Sequence, residues 1–173
     1  VEDTNTKMVC TRHPDTYPLL EDLYGELLEL FSTEGQAPRF FHIQHDEAHW
    51  NTRSVFGDER CPRCAATPRG QLFRDDLLWH ADWLNKRGVQ PICWSDRLLR
   101  GWNGRRDGVD QALVGLSERE REVLQKVLFM SWAPLGDPIE NLVEQGYSLA
   151  RAHTGYLDWK RAGLPAQKEV LVG

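Results

Sequence analysis

Residues 40–47 read Phe40-Phe41-His42-Ile43-Gln44-His45-Asp46-Glu47, and the rest of the chain is interpreted outward from this stretch. A continuous apolar run needs cover on both faces, which is typical of a parallel strand in an α/β fold. In such folds the chemistry lies at the carboxyl ends of the strands, where Asp46 and Glu47 fall. Adjacent carboxylates repel each other, so their pairing indicates separate roles in acid–base chemistry. The alternative is that Asp46 simply caps a helix that starts at Glu47.

Helical and strand patterns alternate along the chain, which predicts parallel strands joined by helical crossovers. A complete eightfold barrel needs about 250 residues, and this chain of 173 residues shows four convincing strands. We therefore predict an α/β fold of parallel β/α units, the C-terminal part (about half) of a TIM-type (β/α)8 barrel, with residues 1–173 as one partial domain. Four helices are predicted. The first begins at Pro14 and ends near residue 34, and the second covers 71–87. The third runs from Ser117 to about Gln125, and the fourth from Asp137 to Glu144. The predicted strands cover 39–44, 89–94, 127–132 and 147–152.

The composition excludes several classes of protein. A net charge of −5 argues against nucleic acid as the main partner. No apolar run approaches the ~20 residues of a membrane span. Four cysteines are too few for a disulfide scaffold in a domain of this size.

Aromatic and acidic residues follow the predicted strands in a way that suits a sugar. Sugar rings have apolar faces that stack on aromatic side chains and hydroxyl rims that bind carboxylates. A single Trp at a strand end is usually a core residue, but three successive strands end this way. The residues concerned are Trp94, Asp96, Trp132, Tyr156, Asp158 and Trp159.

These motifs resemble, in order, those of family-twenty glycoside hydrolases, the β-N-acetylhexosaminidases. The stretch from His42 to Glu47 is similar to that family's His-x-Gly-Gly-Asp-Glu signature, with Gln44 and His45 in place of the two glycines. Trp94-Ser95-Asp96 resembles the family's Trp-x-Asp, Trp132 its next Trp, and Tyr156-Leu157-Asp158 its Tyr-Leu-Asp. The family's early strands, with the Arg that grips the terminal sugar, have no counterpart here.

The resemblance implies a retaining, substrate-assisted glycosidase that acts on a terminal N-acetylhexosamine and needs no cofactor. It implies that Glu47 is the general acid and base, that Asp46 holds the acetamido N–H, and that Tyr156 binds the acetamido oxygen. It places Trp94, Trp132 and Trp159 in the pocket wall and Asp96 and Asp158 among the sugar-binding residues. His42 would support the acid pair, or would simply be a core histidine.

Two other functions are compatible with the sequence. One is a carbohydrate-binding module that kept the pocket and lost turnover. The other is a structural half-barrel that self-associates into a homo-oligomer through its open sheet edges.

A second motif, Cys61-Pro62-Arg63-Cys64, could supply half of a structural zinc site. Cys10, His13, His45 or His49 could complete that site. The alternatives are free thiols or a local disulfide. Two further expectations concern α-helical and strand residues outside the motifs: the acids Asp75 and Asp76 are expected on a solvated helix face, and Cys93 is expected to be buried.

Overall fold

The computed structural model describes residues 9–33, 35, 37–45, 61–98, 111–131 and 140–152. Within these ranges four helices alternate with four strands, as predicted. The helices are α1 (Thr16–Thr33), α2 (Arg69–Asn85), α3 (Glu118–Leu124) and α4 (Glu140–Glu144). The strands are β1 (Phe40–His42), β2 (Gln90–Trp94), β3 (Leu128–Ser131) and β4 (Ser148–Arg151), and a single 3-10 turn at Asp96–Leu98 follows β2.

The four strands form one parallel sheet in the order β1-β2-β3-β4. Each strand therefore pairs with its neighbour in sequence, and a helical segment lies between them. This arrangement confirms the predicted α/β character and is consistent with part of a TIM-type barrel. The described strands do not by themselves close into a barrel.

The ends of the helices follow the sequence signals. The side-chain oxygen of Ser117 accepts from the backbone N–H of Glu120, and the Glu120 carboxylate accepts from the backbone N–H of Ser117, which completes the predicted capping box. Gly88 and Gly146, predicted as stops, have φ angles of +73° and +82°. Glycine reaches this left-handed region without steric strain, so the chain can leave α2 and α4 abruptly. Helix α1 begins at Thr16 rather than at Pro14.

The core lies between α2 and the sheet. Leu72, Leu77 and Leu84 project from one face of α2 and are almost completely buried, and Phe129 of β3 is fully buried. The buried residues Phe73, Leu77, Ala81 and Leu84 follow one another at spacings of four, four and three. This spacing gives α2 one continuous apolar face, and its burial against the sheet stabilises the fold through the hydrophobic effect. Within the described ranges no helix combines the length and the apolar character that crossing a membrane requires.

Two details of packing differ from the expectations. Phe40 is 48% exposed, so the run in β1 is not buried on both faces, because β1 is an edge strand of the sheet that the structure describes. Helix α1 has a wider apolar face than its described neighbours cover. Tyr24 is buried on that helix, whereas Leu23, Leu30 and Phe31 are exposed.

Candidate active site

The carboxyl ends of β1 and β2 bring His42 and Trp94 together. The two strands are parallel neighbours, with Cα of His42 in register with Cα of Ile92. The ring centroids of His42 and Trp94 lie 4.9 Å apart at an interplanar angle of 52°. Both side chains are half-buried, so the carboxyl end of the sheet carries a histidine and a tryptophan, and His42 lies four residues before Asp46 in the sequence.

The backbone adopts an unusual conformation directly after His42 and Ile43. Gln44 and His45 have φ angles of +65° and +70°. This left-handed region costs about 1 kcal/mol for a residue with a Cβ atom and is easily reached by glycine. The family signature that this stretch resembles has two glycines at these positions. The left-handed backbone conformation explains why glycine suits both positions, although this chain has Gln44 and His45 there.

Side-chain contacts hold Gln44 in this conformation. Its backbone N–H donates to Nδ1 of His42 at 3.0 Å, and its carbonyl oxygen accepts from the backbone N–H of Trp94 at 3.0 Å. Its Oε1 atom accepts from the indole Nε1 of Trp94 at 3.3 Å. Gln44 therefore fixes the orientation of Trp94 as well as its own.

His45 is anchored to helix α2. Its Nε2 atom lies 2.7 Å from Oδ2 of Asp76, and its Nδ1 atom lies 2.8 Å from the carbonyl oxygen of Ile43. Asp76 also accepts from Oη of Tyr17 at 3.1 Å and lies 3.6 Å from Nε2 of His80. The result is a buried polar cluster that joins the loop after β1 to α2 and α1.

The partners of this cluster define its charges. Burial raises the pKa of Asp76, but the hydrogen bonds from His45 and His80, together with the charge of His45, outweigh burial and hold that pKa well below its usual range. The Asp76 carboxylate and the Ile43 carbonyl can both only accept, so both ring nitrogens of His45 donate and the ring is a cation. Burial lowers the pKa of His80, and His45 lowers it further, which outweighs the opposite effect of Asp76.

Neutral His80 completes the network with Tyr24. The Nδ1 atom of neutral His80 lies 3.2 Å from Oη of Tyr24 and accepts a hydrogen bond from that hydroxyl. Burial, followed by the charge of Asp76, raises the pKa of Tyr24 to about 12. Burial and the same carboxylate also raise the pKa of Tyr17, so both phenols remain donors at neutral pH.

Histidine and aspartate ligand atoms in this cluster lie close enough together to suggest a metal site. Those of His45, Asp76 and His80 are all within 4.8 Å of one another. Both ring nitrogens of His45 already bind acceptors, however, so His45 offers no lone pair to a cation. The contacts therefore describe a hydrogen-bonded ion pair.

The expectation of a solvated face for Asp75 and Asp76 is wrong for Asp76. Asp76 is 5% exposed, whereas the neighbouring Asp75 has a partly exposed side chain that pairs with Arg12. The sequence contained a signal, because Asp76 lies four residues after Leu72 and four before His80, on the buried face of α2. Because aspartate is typical of surface residues, the position of Asp76 on the buried face of α2 was not recognised from the sequence.

Asp96, predicted to bind sugar, begins the 3-10 turn after β2 and is fully buried together with Arg97 and Ser95. It lies at the carboxyl end of the same strand as Trp94. A substrate contact of Asp96 stays a prediction, as does support of the acid pair by His42.

Most of the other predicted site residues lie outside the described residues. These are Asp46, Glu47, Trp132, Tyr156, Asp158 and Trp159, together with the candidate ligand His49.

A third cysteine, Cys10, lies beside the predicted pair Cys61 and Cys64. Sγ of Cys10 lies 3.6 Å from Sγ of Cys61 and 3.5 Å from Sγ of Cys64. Of the candidates for completing a site, the structure brings Cys10 to the pair, whereas His45 binds Asp76 and the Nδ1 atom of His13 faces Asp15. Cys93 is fully buried, as expected.

The pKa values of Cys61 and Cys64 are shifted in opposite directions. Burial raises the pKa of Cys61, but hydrogen bonds from the backbone N–H groups of Arg63 and Cys64, and from the thiols of Cys10 and Cys64, outweigh burial and lower it. Burial and the two neighbouring sulfurs raise the pKa of Cys64 to about 12.

The sequence was compared with models of known protein families. The catalytic domain of glycosyl hydrolase family 20 matches residues 1–172. Comparison with individual curated proteins gave no significant match. The family match covers both the strands that carry the motifs and the helices between them.

Proposed function

Because the chain belongs to glycosyl hydrolase family 20, we propose that it is a retaining exo-β-N-acetylhexosaminidase. Enzymes of this family are glycoside hydrolases that use substrate-assisted catalysis without a cofactor. The proposed substrate is a carbohydrate with a terminal N-acetylhexosamine.

In the proposed reaction the 2-acetamido oxygen of the substrate attacks the anomeric carbon. The glycosidic bond breaks as Glu47 gives its proton to the leaving oxygen, and a cyclic oxazolinium ion forms. Asp46 accepts the acetamido N–H and stabilises the positive charge, and Tyr156 donates to the acetamido oxygen. Glu47 then takes a proton from water, which opens the oxazolinium at the anomeric carbon and retains its configuration.

The observation that carries this proposal is the edge formed by His42, Gln44 and Trp94. These three residues lie at the carboxyl end of a parallel sheet. In the sequence, Gln44 is followed by His45 and then by Asp46. An indole held by a hydrogen bond to Gln44 offers a rigid apolar face of the kind on which a sugar ring stacks. Parallel strands of α/β enzymes place their catalytic residues at this end.

The anchoring of His45 supports the same assignment. The ion pair with Asp76 fixes the residue next to Asp46, and catalytic groups need a backbone held in one geometry. We assign His45 and Asp76 as positioning residues for the acid pair.

The remaining pocket residues follow β3 and β4 in sequence. Trp132 comes directly after β3, and Cα of Met130 in that strand pairs with Cα of Trp94. Tyr156, Asp158 and Trp159 come after β4, which ends at Arg151. In this proposal Trp132 and Trp159 join Trp94 in the pocket wall, and Asp96 and Asp158 bind sugar hydroxyls.

Hydrolysis of an aryl N-acetyl-β-glucosaminide by the purified chain tests the proposal. Glu47→Gln should lower kcat roughly 10²- to 10⁴-fold, the range expected for loss of a general acid–base group. Glu122→Gln, which changes an exposed glutamate of α3, should leave kcat unchanged. Equal turnover by wild type and Glu47→Gln would refute the assignment of the acid.

Binding of N-acetylglucosamine thiazoline, a stable mimic of the oxazolinium ion, tests the acetamido pocket separately. Calorimetry should show binding to the wild type and its loss in Asp46→Asn. Binding that Asp46→Asn leaves intact would mean that Asp46 does not hold the acetamido group.

A further inference from the structure

Three cysteine sulfurs from two distant parts of the chain meet at one point. Cys10 precedes α1, whereas Cys61 and Cys64 precede α2, 51 and 54 positions later. All three sulfurs lie within 4.8 Å of one another. Cys61 and Cys64 are 7% and 4% exposed, and Cys10 is half-buried. The proposed catalytic chemistry uses none of these thiols.

The separations of the sulfurs fit ligation of one metal ion. The sulfurs of Cys10 and Cys61 are 3.6 Å apart and those of Cys10 and Cys64 are 3.5 Å apart, far longer than the ~2.05 Å of a disulfide. Tetrahedral Zn²⁺ with Zn–S bonds of about 2.3 Å places its sulfurs about 3.8 Å apart. Hydrogen-bonded thiols give similar separations, so the number and the sequence spacing of the ligands must distinguish the two arrangements.

A tight turn of the backbone holds Cys61 and Cys64 close together. The N–H of Cys64 donates to the carbonyl oxygen of Cys61 at 3.0 Å, which closes a tight turn over Cys61–Cys64. The N–H of Ala65 donates to the same carbonyl oxygen at 2.9 Å. A turn of this kind holds the two cysteines of a Cys-x-x-Cys motif close together, as a structural zinc site requires.

The segment that carries Cys10 forms a turn of the same kind. The N–H of His13 donates to the carbonyl oxygen of Cys10 at 3.0 Å. The hydroxyl of Thr16, at the start of α1, also donates to that carbonyl at 2.7 Å. The chain therefore contains a Cys-x-x-His turn facing a Cys-x-x-Cys turn, and paired short spacings of this kind are typical of structural zinc sites.

We propose that Cys10, Cys61 and Cys64 bind one Zn²⁺ ion as thiolates. Thiolate ligands favour zinc over the hard cations Mg²⁺ and Ca²⁺. A water molecule or the imidazole of His13 completes the tetrahedron. The ion joins the segment before α1 to the segment before α2, so its role is structural.

The site also bears on the acid pair. Residues 46–60 lie between His45, which is anchored to Asp76, and Cys61, which is anchored to Cys10. The two residues that flank this segment are thereby held by contacts to α2 and to the turn before α1, respectively. Zinc strengthens the second of these two anchors.

Metal analysis of the full 173-residue chain tests the proposal. The chain is produced in zinc-supplemented medium, and its zinc content is measured by mass spectrometry after gel filtration. The wild type should carry about one zinc per chain, and Cys61→Ser should carry only background zinc. Cys93→Ala, which removes the remaining cysteine in β2, is the matched control and should keep about one zinc.

Cobalt substitution makes the test independent of whether the variant folds. Addition of Co²⁺ to the reduced, metal-free wild type should produce a thiolate-to-cobalt charge-transfer band and intense tetrahedral d–d bands, and Zn²⁺ should abolish both. Background zinc together with absent cobalt bands would overturn the proposal. An intact mass two hydrogens short, which indicates a disulfide, would overturn it as well, and so would full zinc occupancy in folded Cys61→Ser.

Discussion

The Nε2 atom of His45 lies 2.7 Å from the Oδ2 atom of Asp76, and each of the two side chains is only 7% exposed. This ion pair ties the loop after β1 to the buried face of α2. In sequence, Asp46 and Glu47 follow this loop directly.

Asp76→Asn should strongly destabilise the chain. The amide is neutral and leaves the buried His45 cation without its counter-charge, and removing one partner of a buried pair costs about 3–5 kcal/mol. Urea unfolding at neutral pH measures the free energy of unfolding. Asp75→Asn is the matched control, because its partly exposed contact with Arg12 contributes about 1 kcal/mol or less. Equal effects of the two substitutions would contradict the cationic state of His45.

Stability should fall as the solution becomes mildly acidic, because of His80. In the unfolded chain a histidine takes up a proton near pH 6.5, whereas burial depresses the pKa of folded His80 below that value. Protons therefore bind preferentially to the unfolded state as the pH falls below about 6.5, at up to about 1.4 kcal/mol per pH unit.

Urea unfolding of wild type and His80→Gln between about pH 7.5 and about pH 5 isolates this contribution. The groups that face His80, namely Tyr24, His45 and Asp76, are present in both proteins. His80→Gln should therefore show a shallower loss of stability with acid than the wild type. Parallel curves would mean that His80 is already protonated in the folded protein.

The helices, the strands and their parallel order could be predicted because their signals are local. The Ser117–Glu120 capping box, the stop at Gly88 and the apolar periodicity of α2 each depend on a few neighbouring residues. The cluster around Asp76 could not be predicted in this way, because His45 lies 31 positions away and only the tertiary fold brings the two together. The same holds for Cys10 and the cysteine pair.

Trp94→Ala should weaken the binding of N-acetylglucosamine thiazoline about tenfold, if the indole forms the proposed pocket wall. Loss of an aromatic stacking partner costs about 0.5–1.5 kcal/mol beyond the buried area. Trp79→Ala is the matched control, since Trp79 is also half-buried but stacks on Tyr17 at 4.4 Å between α1 and α2. Calorimetric titration gives both dissociation constants. An unchanged constant for folded Trp94→Ala would assign Trp94 to the core alone.

Substitutions at Gln44 should reveal the strain at its φ of +65°. Gln44→Ala and Gln44→Gly both remove the hydrogen bond to the indole of Trp94, but only glycine relieves the left-handed backbone. Gln44→Gly should therefore be more stable than Gln44→Ala by about 1 kcal/mol, measured by urea unfolding. At Glu29, an exposed position within α1, the order should reverse, since glycine is about 1 kcal/mol less favourable than alanine inside a helix. The same order at both positions would show that Gln44 is unstrained, and the two glycines of the family signature would then need another explanation.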